Sequence, residues 1–181
     1  MLKARLLLAV MLLLNSLALP AQPAAKEYEV KAAFLFNFTR FVEWPPAAFS
    51  SAANPFVIGV LGENPFGTYM ESIVEGEKVN GHPVTVAYYK TAAEIKTCHI
   101  LFVSQGESKK LGLLINDLNS RSILTVSDAG GFLKSGGMIR LFSRDSKIKM
   151  EVNVGASKAG NLVISSRLLK LAEIYKTGKN S

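Results

Sequence analysis

Few residues in this chain could do chemistry. His82 and His99 are its only histidines, and Cys98 is its only cysteine. Cys98 and His99 are adjacent at the head of a run that reads as a strand. Neighbours on a strand point to opposite faces, so the two do not form a nucleophile–base pair. His82 sits in a turn. The sequence holds no H-x-x-x-H, no C-x-x-C and no acidic cluster, so no set of ligands is spaced for a metal ion. A phosphoacceptor site would need carboxylates gathered at strand ends, where Asp128 stands nearly alone. The Gly-rich stretches Gly62–Gly67 (GENPFG) and Asp128–Gly137 (DAGGFLKSGG) match neither a Walker nor a dinucleotide fingerprint. They read as tight turns; the alternative is a set of backbone N–H groups that holds an anion. Arg167, near the start of a C-terminal helix, opposes that helix's dipole. It is either an ordinary surface arginine or a group kept for an anion or a partner, for which its planar fork is suited. No catalytic residue, metal or cofactor is assigned, and the chain is not read as an enzyme.

The stretch that organises the rest is Lys31–Pro45, KAAFLFNFTRFVEWP. Val30, Phe34, Phe38 and Phe41 recur at i, i+4, i+8 and i+11, one face of an α-helix spanning Lys26 to Glu43. Ala32, Leu35 and Phe36 form a second apolar face, and Lys31, Asn37, Thr39 and Arg40 supply the polar surface. Glu27 and Lys31 are spaced for an i,i+4 ion pair. Pro45 and Pro46 end the helix and hold Trp44 in an extended elbow. Two readings follow: a core helix whose tryptophan plugs the end of the core, or an aromatic surface for docking.

Hydrophobic residues make up 49% and charged residues 19%, which excludes a disordered chain. Lys3 and Arg5, the apolar run Leu6–Leu14 and the small residues Ala18–Ala25 read as a secretory signal peptide. Cleavage fits after Ala18, Ala21 or Ala24, with Ala21 preferred, so residues 1–21 are set apart. Loss of Lys3 and Arg5 takes the formal charge from +7 to +5. Export and the scattered placement of Lys and Arg argue against nucleic acid as a partner. No other long apolar run exists, so no membrane insertion is expected after cleavage. A single cysteine allows no internal disulfide.

Six runs read as strands: Pro55–Leu61, Val84–Tyr88, His99–Val103, Ser122–Ser127, Met138–Ser143 and Lys147–Val152. The last two are joined by the polar turn Arg144-Asp145-Ser146 as a hairpin. Helices are predicted over Thr68–Val74, from Glu107 or Ser108 through Leu111, Leu114, Ile115 and Leu118, over Asn153–Ala159, and over Arg167–Tyr175. Alternation of the two patterns predicts one α/β domain over 26–176. It is a three-layer structure with a mixed, mostly parallel sheet of about six strands flanked by helices, followed by a frayed tail at 177–181.

The opening stretch resembles the signature of the YfiR family of periplasmic regulators. FVIGVLGENPFG, CHILFVS, SILTVSD, GGMIRLF and EVNVGASKAGNLVISSRLLKLA resemble later pieces of the same pattern, in order, from Tyr28 to Ala172. The resemblance implies a dimeric protein in the periplasm of a Gram-negative bacterium. It would bind the periplasmic sensor domain of an inner-membrane diguanylate cyclase and repress cyclic di-GMP synthesis, and with it biofilm formation. The best-known type of the family carries disulfides, one of them using a Cys at the position of Cys98. The partner Cys is missing here, so redox gating through an internal bridge is excluded by count.

On this reading Phe34, Phe38 and Trp44 are the aromatics expected to dock a partner or a second copy. The alternative is a periplasmic small-molecule sensor acting on another signalling partner. Its pocket would lie at the strand C-termini, with Asn64, Phe66, Gly136, Gly137 and Arg167 as ligand-binding residues.

Overall fold

The computed structural model describes residues 23–176 apart from 50, 52, 109, 111, 113 and 114. The expected signal peptide, the tail at 177–181 and the helix positions Leu111 and Leu114 lie outside the described residues.

Helix α1 (Pro23–Phe38) is shorter than its apolar pattern predicts. It closes in a tight turn, with Thr39, Arg40 and Phe41 each donating to the carbonyl three residues back, and the Thr39 hydroxyl donating to the Phe36 carbonyl. Strand β1 (Val42–Glu43) follows, where the pattern predicts more helix. Its antiparallel partner is β9 (Val163–Ile164), and this pairing outweighs the helical pattern of the preceding residues. The buried stripe of α1 is also rotated from the predicted one. Ala32, Leu35 and Phe38 are wholly buried, and Val30 is 46% exposed.

Four parallel strands hold the centre of the sheet: β2 (Phe56–Leu61), β4 (His82–Tyr89), β5 (Ile100–Val103) and β6 (Leu124–Ser127). The chain runs from β2 to β4 on one side, then returns past β2 to β5 and continues to β6 and β7 (Ile139–Arg144). β7 is parallel to β6 and forms the predicted hairpin with β8 (Lys147–Val152). Asp145 and Ser146 at its tip both have φ near +55°, the left-handed pair that a two-residue hairpin turn requires. Two-residue strands β3 (Lys78–Val79) and β10 (Glu173–Ile174) extend the edges, making eight strands in this sheet instead of about six.

Every residue of β2, β5 and β6 is buried, because both faces of the sheet are covered. On one face Phe56, Ile58, Val60, Ile100, Phe102, Leu124 and Val126 pack against α1 and against α2 (Tyr69–Val74). On the other, Leu61, Leu101 and Val103 pack against Ile115 and Leu118 of α4 (Ile115–Ser120) and against Phe132 and Leu133 of the Gly-rich loop. Right-handed crossovers place helices on opposite faces in this way when a chain winds outward from one strand in both directions. Among the described residues after β5, helix is formed by α3 (Gln105–Ser108) and by α4.

Helix α5 (Val154–Ala159) is capped by the Asn153 side chain, and α6 (Ser166–Leu169) by Ser165. The predicted final helix stops there. Glu173–Ile174 pairs with β8, and Tyr175 N–H donates to the Val152 carbonyl, so sheet pairing takes the residues that the helical pattern claimed.

Gly59 sits where no side chain fits. A Cβ there would lie 2.7 Å from Tyr89 Cε2 and 2.8 Å from Cys98 Sγ. Gly59→Ala is expected to lower stability by about 1–3 kcal/mol, the usual cost of overpacking. Equilibrium urea unfolding measures this, and adding Cys98→Ala should recover part of the loss.

Candidate functional site

The C-terminal ends of β2, β5 and β6 each deliver polar residues to one place: Gly62-Glu63, Ser104-Gln105 and Ser127-Asp128. The chain reverses its winding direction between β2 and β5. In such sheets a crevice opens at that point, beyond the strand ends. Here it holds about 280 Å³ between Tyr28, Glu63, Phe102, Ser104, Gln105 and Asp128. Gly62, with φ +89°, lets the two loops approach, since a Cβ there would meet the Ser104 hydroxyl and lie 2.7 Å from Glu107 Cγ.

The floor of the crevice is a charged network that ties α1 to the end of β6. Lys31 Nζ donates to Asp128 Oδ2 at 2.6 Å and lies 2.7 Å from Glu27 Oε1. The Tyr28 hydroxyl donates to the same Asp128 oxygen at 2.7 Å, and the Lys31 ammonium lies 4.3 Å from the centre of the Tyr28 ring. Ser143 donates to the other Glu27 oxygen at 3.0 Å. The side chains of Lys31 and Asp128 are each 3% exposed.

The hydrogen bond from Lys31 is the chief reason the Glu27 carboxyl is held below its ordinary pKa. Burial, reinforced by Asp128, pushes the Tyr28 phenol well above its own. Ser127 steadies the turn: its hydroxyl donates to the Val103 carbonyl at 2.7 Å and accepts from Ala129 N–H at 3.1 Å. The second oxygen of Asp128, Oδ1, is buried and accepts no hydrogen bond from the described residues.

A second cluster lies at the opposite, N-terminal end of the strands. Phe49 stacks between His82 at 4.5 Å and His99 at 4.7 Å, and His99 stacks on Phe56 at 4.6 Å. His99 Nδ1 accepts from Val57 N–H at 3.0 Å, and the ring's other nitrogen faces the Ala48 carbonyl at 3.2 Å. The ring is therefore neutral, with its proton on Nε2. Trp44 packs edge-on against Phe56 at 5.0 Å, and its indole N–H donates to the His99 carbonyl at 3.2 Å. Cys98 points into the core on the other side of the sheet, donating to the Ile100 carbonyl at 3.1 Å. Burial pushes its thiol up to about 12. Histidine and thiol thus serve packing on opposite faces.

The structure distributes the aromatics read as docking residues unevenly. Phe38 is wholly buried, so it is a core residue that meets no partner while α1 stays in place. Phe34 and Trp44 are half-buried and keep an outer edge. The ligand-binding set is not brought together. Asn64 bonds within its own turn, to Gly67 O and Phe66 N–H, and Phe66 is buried between Tyr28 and Phe102 beneath the crevice.

Gly136 and Gly137 lie before the first residue of β7, at the far end of the sheet. There Asn119 bonds Gly136 O, and Gly137 packs on the Phe132 ring. Arg167 is exposed on α6. Tyr28, Lys31 and Ser104 were not legible as site residues. The available signal was a lysine set between Val30 and Ala32 on a helix that is otherwise apolar on that side.

Among the described residues, no group of three or more His, Cys, Asp or Glu side chains is placed to hold a metal ion. Nor is any helix there long and apolar enough to cross a membrane. A family model described as YfiR/HmsC-like matches residues 28–173. No curated protein matches the chain.

His99 predicts how stability responds to acid. Burial holds its pKa below the usual 6.5, the Ala48 carbonyl opposes this, and His82 adds to it. The unfolded chain therefore takes up a proton before the native one does. This contribution is complete above pH 6.5 and falls as the pH drops below it, by at most about 1.4 kcal/mol per pH unit. Glu27 acts in a lower window, its contribution being present above pH 4.5 and lost below. His99→Asn keeps an acceptor for Val57 N–H and removes the titration. Urea unfolding between pH 5 and 7 should show a flatter pH dependence for it than for the native chain.

Proposed function

The chain belongs to the YfiR/HmsC-like family, and from that premise we propose that it is a periplasmic repressor of an inner-membrane diguanylate cyclase. The family is associated with regulation of diguanylate cyclases and consists of regulators rather than catalysts. The observation that carries the reading is the extent of the match. Residues 28–173 include the crevice, the histidine–aromatic stack and all but the first residues of α1.

On this reading the protein binds the cyclase's periplasmic sensor domain and stabilises its inactive conformation. Repression is then limited by its differential affinity for the inactive and active states. Phe34 and Trp44 are the proposed contact aromatics, since each keeps an outer edge. The acting form is a homodimer, released into the periplasm once residues 1–21 are removed. A second reading, a small-molecule sensor acting on another signalling partner, is favoured by the crevice at the strand ends.

The test is cellular cyclic di-GMP in the native host. Deletion of the gene should raise it. Phe34→Ala and Trp44→Ala alleles, each at normal protein level, should reproduce part or all of the rise. An unchanged level on deletion would sink the repressor reading, and a rise on deletion that neither allele copies would move the contact surface elsewhere.

A further inference from the structure

We propose that the crevice at the ends of β2, β5 and β6 binds a small organic cation through a primary ammonium group. The inference does not rest on the repressor reading, and the site stands whichever partner the protein has.

Charge is the first argument. Among the described residues, the acidic side chains lining the crevice are those of Glu63 and Asp128, and no Lys, Arg or His lines it. Lys31 does not line it and is engaged with Glu27 and with Oδ2 of Asp128. The group Glu27–Lys31–Asp128 sums to one negative charge, and Glu63 on the rim adds a second. An anion is repelled from such a site and a cation attracted.

Hydrogen bonding is the second. Among the described residues Asp128 Oδ1 has no donor; it is buried, in a side chain that is 3% exposed and lines the crevice. A buried carboxylate oxygen left in that state is costly, and a charged N–H donor relieves it about twice as well as a neutral one. An ammonium group has donors for Oδ1, for Glu63 and for a neutral polar neighbour such as Ser104.

Shape and stiffness are the third. Tyr28 and Phe102 form an aromatic wall braced by Phe66, which meets their rings edge-on at 5.7 Å and 4.9 Å. Such a wall suits the hydrocarbon part of an amine and the face-on attraction of a cation to a ring. Asp128 is held by Tyr28, by Lys31 and by the Ser127 turn, so the acceptor is in place before a ligand arrives. The volume of about 280 Å³ lies at the lower limit of small-molecule sites and admits an amine of modest size.

The experiment is a titration of the purified protein, followed by calorimetry and by backbone amide shifts. The probes are phenethylammonium and putrescine, with phenylacetate and 2-phenylethanol as anionic and neutral counterparts. The expected result is saturable binding of at least one of the two amines, with shifts centred on Glu63, Ser104–Gly106 and Asp128–Ala129, and none for the counterparts.

Glu63 is exposed and outside the buried network, so Glu63→Gln should fold normally and weaken binding roughly threefold to fivefold, the effect of one exposed charge pair. Asp128→Asn should weaken it roughly tenfold or more. Should that variant unfold for want of a partner to Lys31, Glu63→Gln alone decides. Absence of saturable amine binding at millimolar concentration overturns the proposal. So does equal binding of 2-phenylethanol, or amine affinity indifferent to Glu63→Gln.

Discussion

The buried ammonium of Lys31 is the constraint on which the placement of α1 depends. A lysine removed from water is tolerated only when its charge is met, and here two carboxylates and a tyrosine ring meet it. Rotating α1 toward the stripe predicted from Val30, Phe34, Phe38 and Phe41 would pull Lys31 Nζ and the Tyr28 hydroxyl off Asp128 and leave that carboxylate uncompensated in the core. The helix instead turns Lys31, Ala32, Leu35 and Phe38 inward and leaves Val30 half in water. Apolar matter alone would have permitted either rotation, since both faces of α1 are apolar and share Phe38. The ion pair is what discriminates, a use of buried charge for register more than for net stability.

With that anchor in place, α1 connects the two ends of the sheet. Its 16 residues span roughly 24 Å at the α-helical rise. Tyr28 and Lys31 meet Asp128 at the strand C-termini, and the chain beyond Phe38 delivers Trp44 to His99 at the strand N-termini. The crevice and the histidine–aromatic stack are thus opposite ends of one lever packed on β2, β5 and β6. These strands are buried on both faces, so neither end can shift without disturbing close-packed contacts along the helix.

The six longer strands were legible because their patterns are strong. β2 and β5 read as short apolar runs, which a doubly covered sheet accommodates, and the polar turn Arg144-Asp145-Ser146 marks the hairpin. The four two-residue strands carried no such signal. Val42-Glu43 and Glu173-Ile174 sit at the ends of helix-like patterns, and each became a strand because a partner edge was waiting, β9 for the first and β8 for the second. A period cannot be read from two residues, and pairing of that kind is a property of the assembled fold. The exposed Leu171, at 78%, records the same conflict: it belongs to a helical pattern that the chain does not complete.

The site was legible in location but not in membership, and the reason lies in the topology. A pocket beyond the strand C-termini follows from the winding of the sheet. Asn64 and Phe66, which come soon after β2, accordingly lie next to the crevice. The sequence groups Gly136 and Gly137 with them because their loop starts at Asp128, at the end of β6. But β6 and β7 are parallel, so the connection must cross from one end of the sheet to the other before β7 begins. Phe132 and Leu133 are the residues that cross, packed into the second core, and the two glycines arrive at the far end against Ile115 and Phe132. Only the first residues of that loop can face a ligand at the strand C-termini. Asp128, isolated in the sequence, is the one that lines the crevice, held there by partners from α1, about 100 residues earlier in the chain.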